Sequence, residues 1–134
     1  IDLTAYASWK QAYEADSVWK EKGFSYVPIE PIVGVRFSDN NEDAPWAVDV
    51  FTRVLGINAY AWLGESNGVY AKYITEQMDL IRATLKEMGV EHGHLHQRNF
   101  CLVFEKNKEG KPDITKPPRV YAIDFDRAVS SSQK

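Results

Sequence analysis

The chain has 134 residues, a hydrophobic fraction of 44%, an aromatic fraction of 13% and a formal net charge of −3. That length suits one domain with a real core, and the charge gives no reason to expect nucleic acid or an anionic membrane as a partner. The single cysteine, Cys101, excludes an internal disulfide. No apolar run is long enough for a membrane span, and "IDLTAYASWK" lacks the basic-then-apolar pattern of a secretory leader. An intracellular protein is therefore expected, and the start at Ile1 is what a processed or excised fragment would show.

In chain order, Ala5, Trp9, Ala12, Tyr13 and Trp19 recur at helical spacing and predict one N-terminal helix, with Asp16 interrupting its apolar face. Asp2 or Thr4 is placed to cap it and Gly23 to end it. "FSYVPIEPIVGVRF" is rich in β-formers, but Pro28 and Pro31 cannot donate ladder hydrogen bonds, so it belongs at a sheet edge or kink. "SDNNEDAP" reads as a polar loop. Trp46 to Leu55 alternates over two faces and is the clearest strand, punctuated by Gly56. "INAYAWLG" reads as a helical turn. Tyr70, Ile74, Met78, Ile81, Leu85 and Met88 then line one face of a long helix over Tyr70–Met88, closed by Gly89. Short strands follow at Phe100–Phe104 and Val120–Ile123, separated by a polar loop containing Pro and Gly. The expected class is α+β, with a small antiparallel sheet. Trp9, Trp19, Trp46 and Trp62 are expected in the core or an interface.

The stretch "VEHGHLHQRNFCLVF" carries all three histidines, His92, His94 and His96, with Asn99 three residues on. Alternate histidines on a strand would face one way and suit Zn²⁺. Gly93 argues against a regular strand, and no cysteine shares the alternation, so zinc is not expected. Phosphoryl transfer has other needs: a carboxylate beside the attacking hydroxyl, an Asn a few residues on, and a second carboxylate reaching Mg²⁺ from a neighbouring strand end. Asn99 precedes one strand and Asp124 ends the next, so a hairpin would bring them together. Either residue alone could be a turn residue, and Asp126 could be a surface charge beside Arg127.

"HGHLHQRN" resembles the catalytic loop of the protein-kinase-like superfamily, in the His-Gly-Asp-Leu-His-x-x-Asn form of its small-molecule and atypical branches. "IDFD" resembles the metal-binding Asp-Phe-Gly element. The resemblance implies a protein-kinase-like core fragment forming one domain over 1–134, with an N-lobe-like part over 1–56 and a partial C-lobe-like part over 57–134. The first helix would be the regulatory helix, Trp46 to Leu55 the strand entering the hinge, Gly56 to Ala59 the hinge, and the long helix the one preceding the catalytic loop. It implies catalytic positions at His94, Asn99 and Asp124. Nucleotide would lie against Val54, Leu55, Gly56, Asn99 and Asp124, and metal against Asn99, Asp124 and Asp126.

Departures from the family pattern weigh as much. His94 stands where the catalytic Asp belongs, and Asp126 where the Gly of Asp-Phe-Gly belongs. The sequence contains no G-x-G-x-x-G loop, no strand ahead of the first helix to carry a phosphate-binding Lys, and no activation segment after Asp126. The expected protein is thus kinase-like without normal phosphotransfer, a pseudokinase. It would act by binding another protein, or a chain that supplies the missing lobe, with homo-oligomers as a further possibility. ATP and Mg²⁺ would be held weakly or not at all. A second reading is an active minimal kinase using ATP and Mg²⁺ with His94 as an unusual base. A third is a histidine metal site. In the kinase-like reading His92 and His96 shape the loop by bonding to the backbone.

Overall fold

The computed structural model describes residues 1–37, 48–54, 56–65 and 68–130. Helix α1 spans Leu3–Tyr13, and Asp2 caps it as expected, accepting the Ala5 N–H at 2.7 Å. The single N-terminal helix of the sequence reading is two helices. The chain leaves α1 at Glu14, and α2 runs Asp16–Glu21. Trp19 explains the break. Its indole N–H donates to the Ala12 carbonyl at 2.8 Å, satisfying one of the carbonyls that a helix end leaves bare. That bond folds α2 back and buries Trp19 completely. Gly23, at φ 100°, ends the segment in the left-handed region.

Strands β1 (Ile32–Phe37) and β2 (Val48–Thr52) form an antiparallel pair, irregular between Ile32 and Gly34. Pro28 and Pro31 precede β1, so neither interrupts a ladder. Between them Ile29 is fully buried and bridges Ala122: the Ala122 N–H donates to the Pro28 carbonyl at 2.9 Å and the Glu30 N–H to the Ala122 carbonyl at 2.8 Å. Trp46, Ala47 and Leu55 of the expected strand, and the polar loop before it, lie outside the described residues.

The segment read as a helical turn is strand β3 (Ile57–Asn58) followed directly by helix α3 (Ala59–Glu65). Helix α4 (Ala71–Glu87) matches the long periodic stretch. It buries Ile74, Met78, Ile81 and Leu85 and is followed by Gly89 at φ 75°. Strands β4 (Val90–Glu91), β5 (Phe100–Val103), β6 (Arg119–Ala122) and β7 (Val129–Ser130) follow among the described residues. The antiparallel order is β3-β5-β6, and β4 pairs with β7. The class is α+β, with small antiparallel sheets and four helices among the described residues. Phe100 and Leu102 of β5, Val120 and Ala122 of β6, and the buried face of α4 share one core with Trp19 and Phe125. Trp9 is buried and Trp62 packs at the edge of that core.

Candidate functional site

The histidine loop leaves β4 and enters β5, and its first turn needs glycine. Gly93 sits at φ 93°, and a Cβ there would press on the Arg127 carbonyl at 3.4 Å. His92 is buried. Its Nε2–H donates to the Ile123 carbonyl at 2.6 Å, while its Nδ1 accepts the His94 N–H at 3.2 Å. Both bonds fit only the neutral, Nε2-protonated ring. Burial lowers its pKa below the ordinary histidine value, against the opposing pull of the Ile123 carbonyl, Asp124 and Asp126. The ring meets Phe125 edge-on at 4.6 Å, and Phe125 stacks on Trp9 of α1 at 6.1 Å. The loop is thereby tied to both the first helix and the last strand connection.

His96 caps the short 3-10 turn Gln97–Asn99, its Nδ1 accepting the Arg98 N–H at 3.2 Å. His92 and His96 therefore bond to backbone, as the sequence reading expected. His94 is exposed, with its ring 5.0 Å from that of His96. Its carbonyl accepts two bonds: the His96 N–H at 3.0 Å and the Asn99 side-chain amide at 2.5 Å. Asn99 in turn accepts the Ile123 N–H on its own carbonyl at 2.9 Å, carrying the β5–β6 pairing one step past Phe100↔Ala122. Asn99 thus lies across the hairpin from Ile123, one residue short of Asp124.

Asp124 is at φ 65°, a left-handed backbone that a non-glycine residue adopts only when its surroundings hold it. The holding group is Glu30, whose Oε1 accepts the Asp124 N–H at 3.0 Å. Burial raises the Glu30 pKa, against the bonds from Asp124 and Thr52. The Asp124 pKa is also raised, first by burial and then by hydrogen bonding to and the charge of Asp126, with His92 and Arg127 opposing. A like charge beside it disfavours the ionised form of Asp124. His92, His94, Asp124, Asp126 and Arg127 line one cavity of about 210 Å³. Asn99 is not on its wall. A larger hollow, about 620 Å³, lies between the loop and the C-terminal half of α4, lined by residues including Arg82, Leu85, Glu91 and His94 but by none of Asn99, Asp124 or Asp126.

Of the expected nucleotide-contacting positions, Val54 follows β2, Gly56 precedes β3, and Leu55 lies outside the described residues. Gly56 is packed so tightly that a Cβ would overlap the Leu102 carbonyl oxygen and sit 2.7 Å from Cys101 Sγ. Among the described residues no group of three or more His, Cys, Asp or Glu side chains is arranged to hold a metal ion. The sequence reading missed Glu30. A lone carboxylate between two prolines, in a segment too apolar for a solvated loop, was the signal that could have found it. No family model, no curated protein and no solved structure matches this chain.

Proposed function

We propose that this is a kinase-like protein without normal phosphotransfer, acting by binding a partner protein and offering a weak nucleotide site at the strand ends that carry Asn99 and Asp124. The observation that carries the reading is the bonding around Asn99. Its amide grips the His94 carbonyl while its own carbonyl takes the Ile123 N–H, next to the left-handed Asp124. That bonding supports one loop and one strand end acting as a unit, which is the requirement for presenting Asn and Asp oxygens to a hard cation. The residues fit Mg²⁺ in kind: Asn99, Asp124 and Asp126 all offer oxygen donors. Mg²⁺ bound there would neutralise phosphate charge.

The deficits are chemical. His94 replaces a carboxylate, and loss of a general base alone costs about 10²–10⁴-fold. Residues 1–134 contain no G-x-G-x-x-G phosphate cradle. The second reading, an active minimal kinase, is supported by His94 sharing a cavity with Asp124 and Asp126. The parent chain, His94→Asp and His94→Ala separate the readings when assayed for ATP-dependent labelling, metal content and melting temperature. The expected result is no labelling in any of them, no bound zinc, and melting temperatures close to the parent, since exposed substitutions usually stay within about ±0.5 kcal/mol. Labelling by the parent that Asp124→Ala abolishes would make the active reading the correct one. Zinc released by His94→Ala would establish the histidine metal site. Nuclear magnetic resonance with a non-hydrolysable ATP analogue and Mg²⁺ tests that site directly: shifts centred on Asn99 and Asp124 are expected, and their absence removes the nucleotide site from the reading.

A further inference from the structure

Glu30 lines neither cavity beside the histidine loop, yet three parts of the molecule meet at it. Pro31 disfavours a helical backbone at the residue before it. The Glu30 carbonyl accepts the Trp9 indole N–H at 2.7 Å, and its N–H donates to the Ala122 carbonyl at 2.8 Å. A main chain held by α1 and by β6 delivers the carboxylate to one place. There it accepts the Asp124 N–H at 3.0 Å and a hydrogen bond from the Thr52 side chain at the end of β2. The neighbours of Asp124 are pinned as well. The Ile123 carbonyl accepts from His92 and its N–H donates to the Asn99 carbonyl, while the Phe125 ring sits between His92 and Trp9. Asp124 is thus a residue at φ 65° between two fixed neighbours, and such a backbone persists only while its surroundings hold it.

We propose that Glu30 is the positioning residue of the cation site at Asp124 and Asp126: it gives the cation no oxygen, but by holding the Asp124 N–H it fixes the direction of the Asp124 carboxylate and so sets the affinity. The inference rests on the reading of Asn99, Asp124 and Asp126 as oxygen donors for Mg²⁺. Its reason is geometric. Turning Asp124 to the ordinary negative φ range swings its Cβ, and with it both carboxylate oxygens, relative to Asp126, which lines the same cavity. A cation that demands octahedral oxygen ligands at about 2 Å tolerates little of that movement. Partners that orient metal ligands typically change affinity by about 10–100-fold. A purely electrostatic role, adding negative charge near the cation, is the alternative. Glutamine separates the two, because its side-chain carbonyl accepts an N–H as the carboxylate does but carries no charge.

The probe is Mn²⁺, which takes the same oxygen ligands as Mg²⁺, added without nucleotide to the full chain and to its Glu30→Gln, Glu30→Ala and Glu30→Met variants. Methionine keeps the side-chain bulk without an acceptor, so the test survives an alanine variant that fails to fold. Two nuclear magnetic resonance signals are read. A positive φ brings a residue's own Hα close to its amide proton, so a left-handed Asp124 gives a strong intraresidue Overhauser effect. Mn²⁺ broadening of the Asp124 and Asp126 resonances gives the affinity. The parent and Glu30→Gln are expected to share the Overhauser effect and to bind within about threefold of each other, while the alanine and methionine variants lose the effect and bind about tenfold or more weakly. Retention of both signals by those two variants overturns the proposal. So does a Glu30→Gln chain that binds as weakly as they do while keeping the left-handed Asp124, since charge would then be what acts. If Mn²⁺ leaves the parent's Asp124 and Asp126 resonances unbroadened, the cation reading fails and the inference falls with it. A parent that binds beside unaffected alanine and methionine variants refutes the role of Glu30 alone.

Discussion

Two strand pairs of similar size do opposite work in this molecule. The β1–β2 hairpin has the clearest alternation in the sequence, yet it buries little: of β2 only Val48 is fully buried, while Val33, Phe37 and Phe51 stand 65%, 54% and 53% exposed. The β5–β6 pair buries one whole face, where Phe100, Leu102, Val120 and Ala122 are all sealed from solvent, and β5 is buried at Cys101 on the other as well. An alternating strand needs only one covered face, whereas a run apolar on both sides must be covered on both. β5 is buried on both sides at Phe100, Cys101 and Leu102, α4 packs on β6, Ile29 bridges the edge of β6 at Ala122, and the site lies at the ends of these strands. The hairpin's bare face goes with standing apart from that core.

That contrast can be broken by substitution. Phe125 is clamped between His92 and Trp9 where the site meets the core. Phe125→Ala is expected to cost about 3–5 kcal/mol, measured by urea denaturation with the slope held fixed. A loss under about 1 kcal/mol would mean the ring is not the tie it looks to be. Gly56→Ala comes next. Its new methyl meets Leu102 main chain rather than the flexible end of a side chain, so overpacking of about 1–3 kcal/mol is expected. A neutral result would show that the β3–β5 junction yields easily.

A pH titration sharpens the comparison from the core side. Burial raises the Cys101 thiol from its ordinary 9.0 to about 11. The folded chain therefore keeps its proton where the unfolded chain loses it. The stability this contributes is full below about pH 9 and is lost as pH rises through about 11. Denaturation midpoints should fall across that window and fall less in Cys101→Ala. Native Cys101 should also resist alkylation at pH 8 until the chain is unfolded. A rapid reaction in the native state would contradict the sealed β5. The smallest effect belongs to the hairpin: Phe51→Thr should shift stability by no more than about 0.5 kcal/mol in the isolated chain. A larger loss would mean that the exposed face of β2 is covered within the chain itself.

Local chemistry made several features legible in the sequence. Asp2 caps α1 because a short carboxylate reaches the next turn's N–H groups. α4 and its closing Gly89 follow from a regular apolar stripe and a left-handed terminus. The backbone bonding of His92 and His96 was expected from the resemblance of their loop to a catalytic loop, not from spacing. What stayed hidden depends on residues far apart in the chain or on elements too short to carry a period. α1 and α2 separate because Trp19 turns its indole onto Ala12, a choice between two helical continuations that spacing alone does not rank. β4 and β7 are two residues each, and two residues have no pattern until each finds the other. The left-handed Asp124 is held by Glu30, 94 positions earlier, and no local propensity encodes a carboxylate that arrives from the far end of the chain.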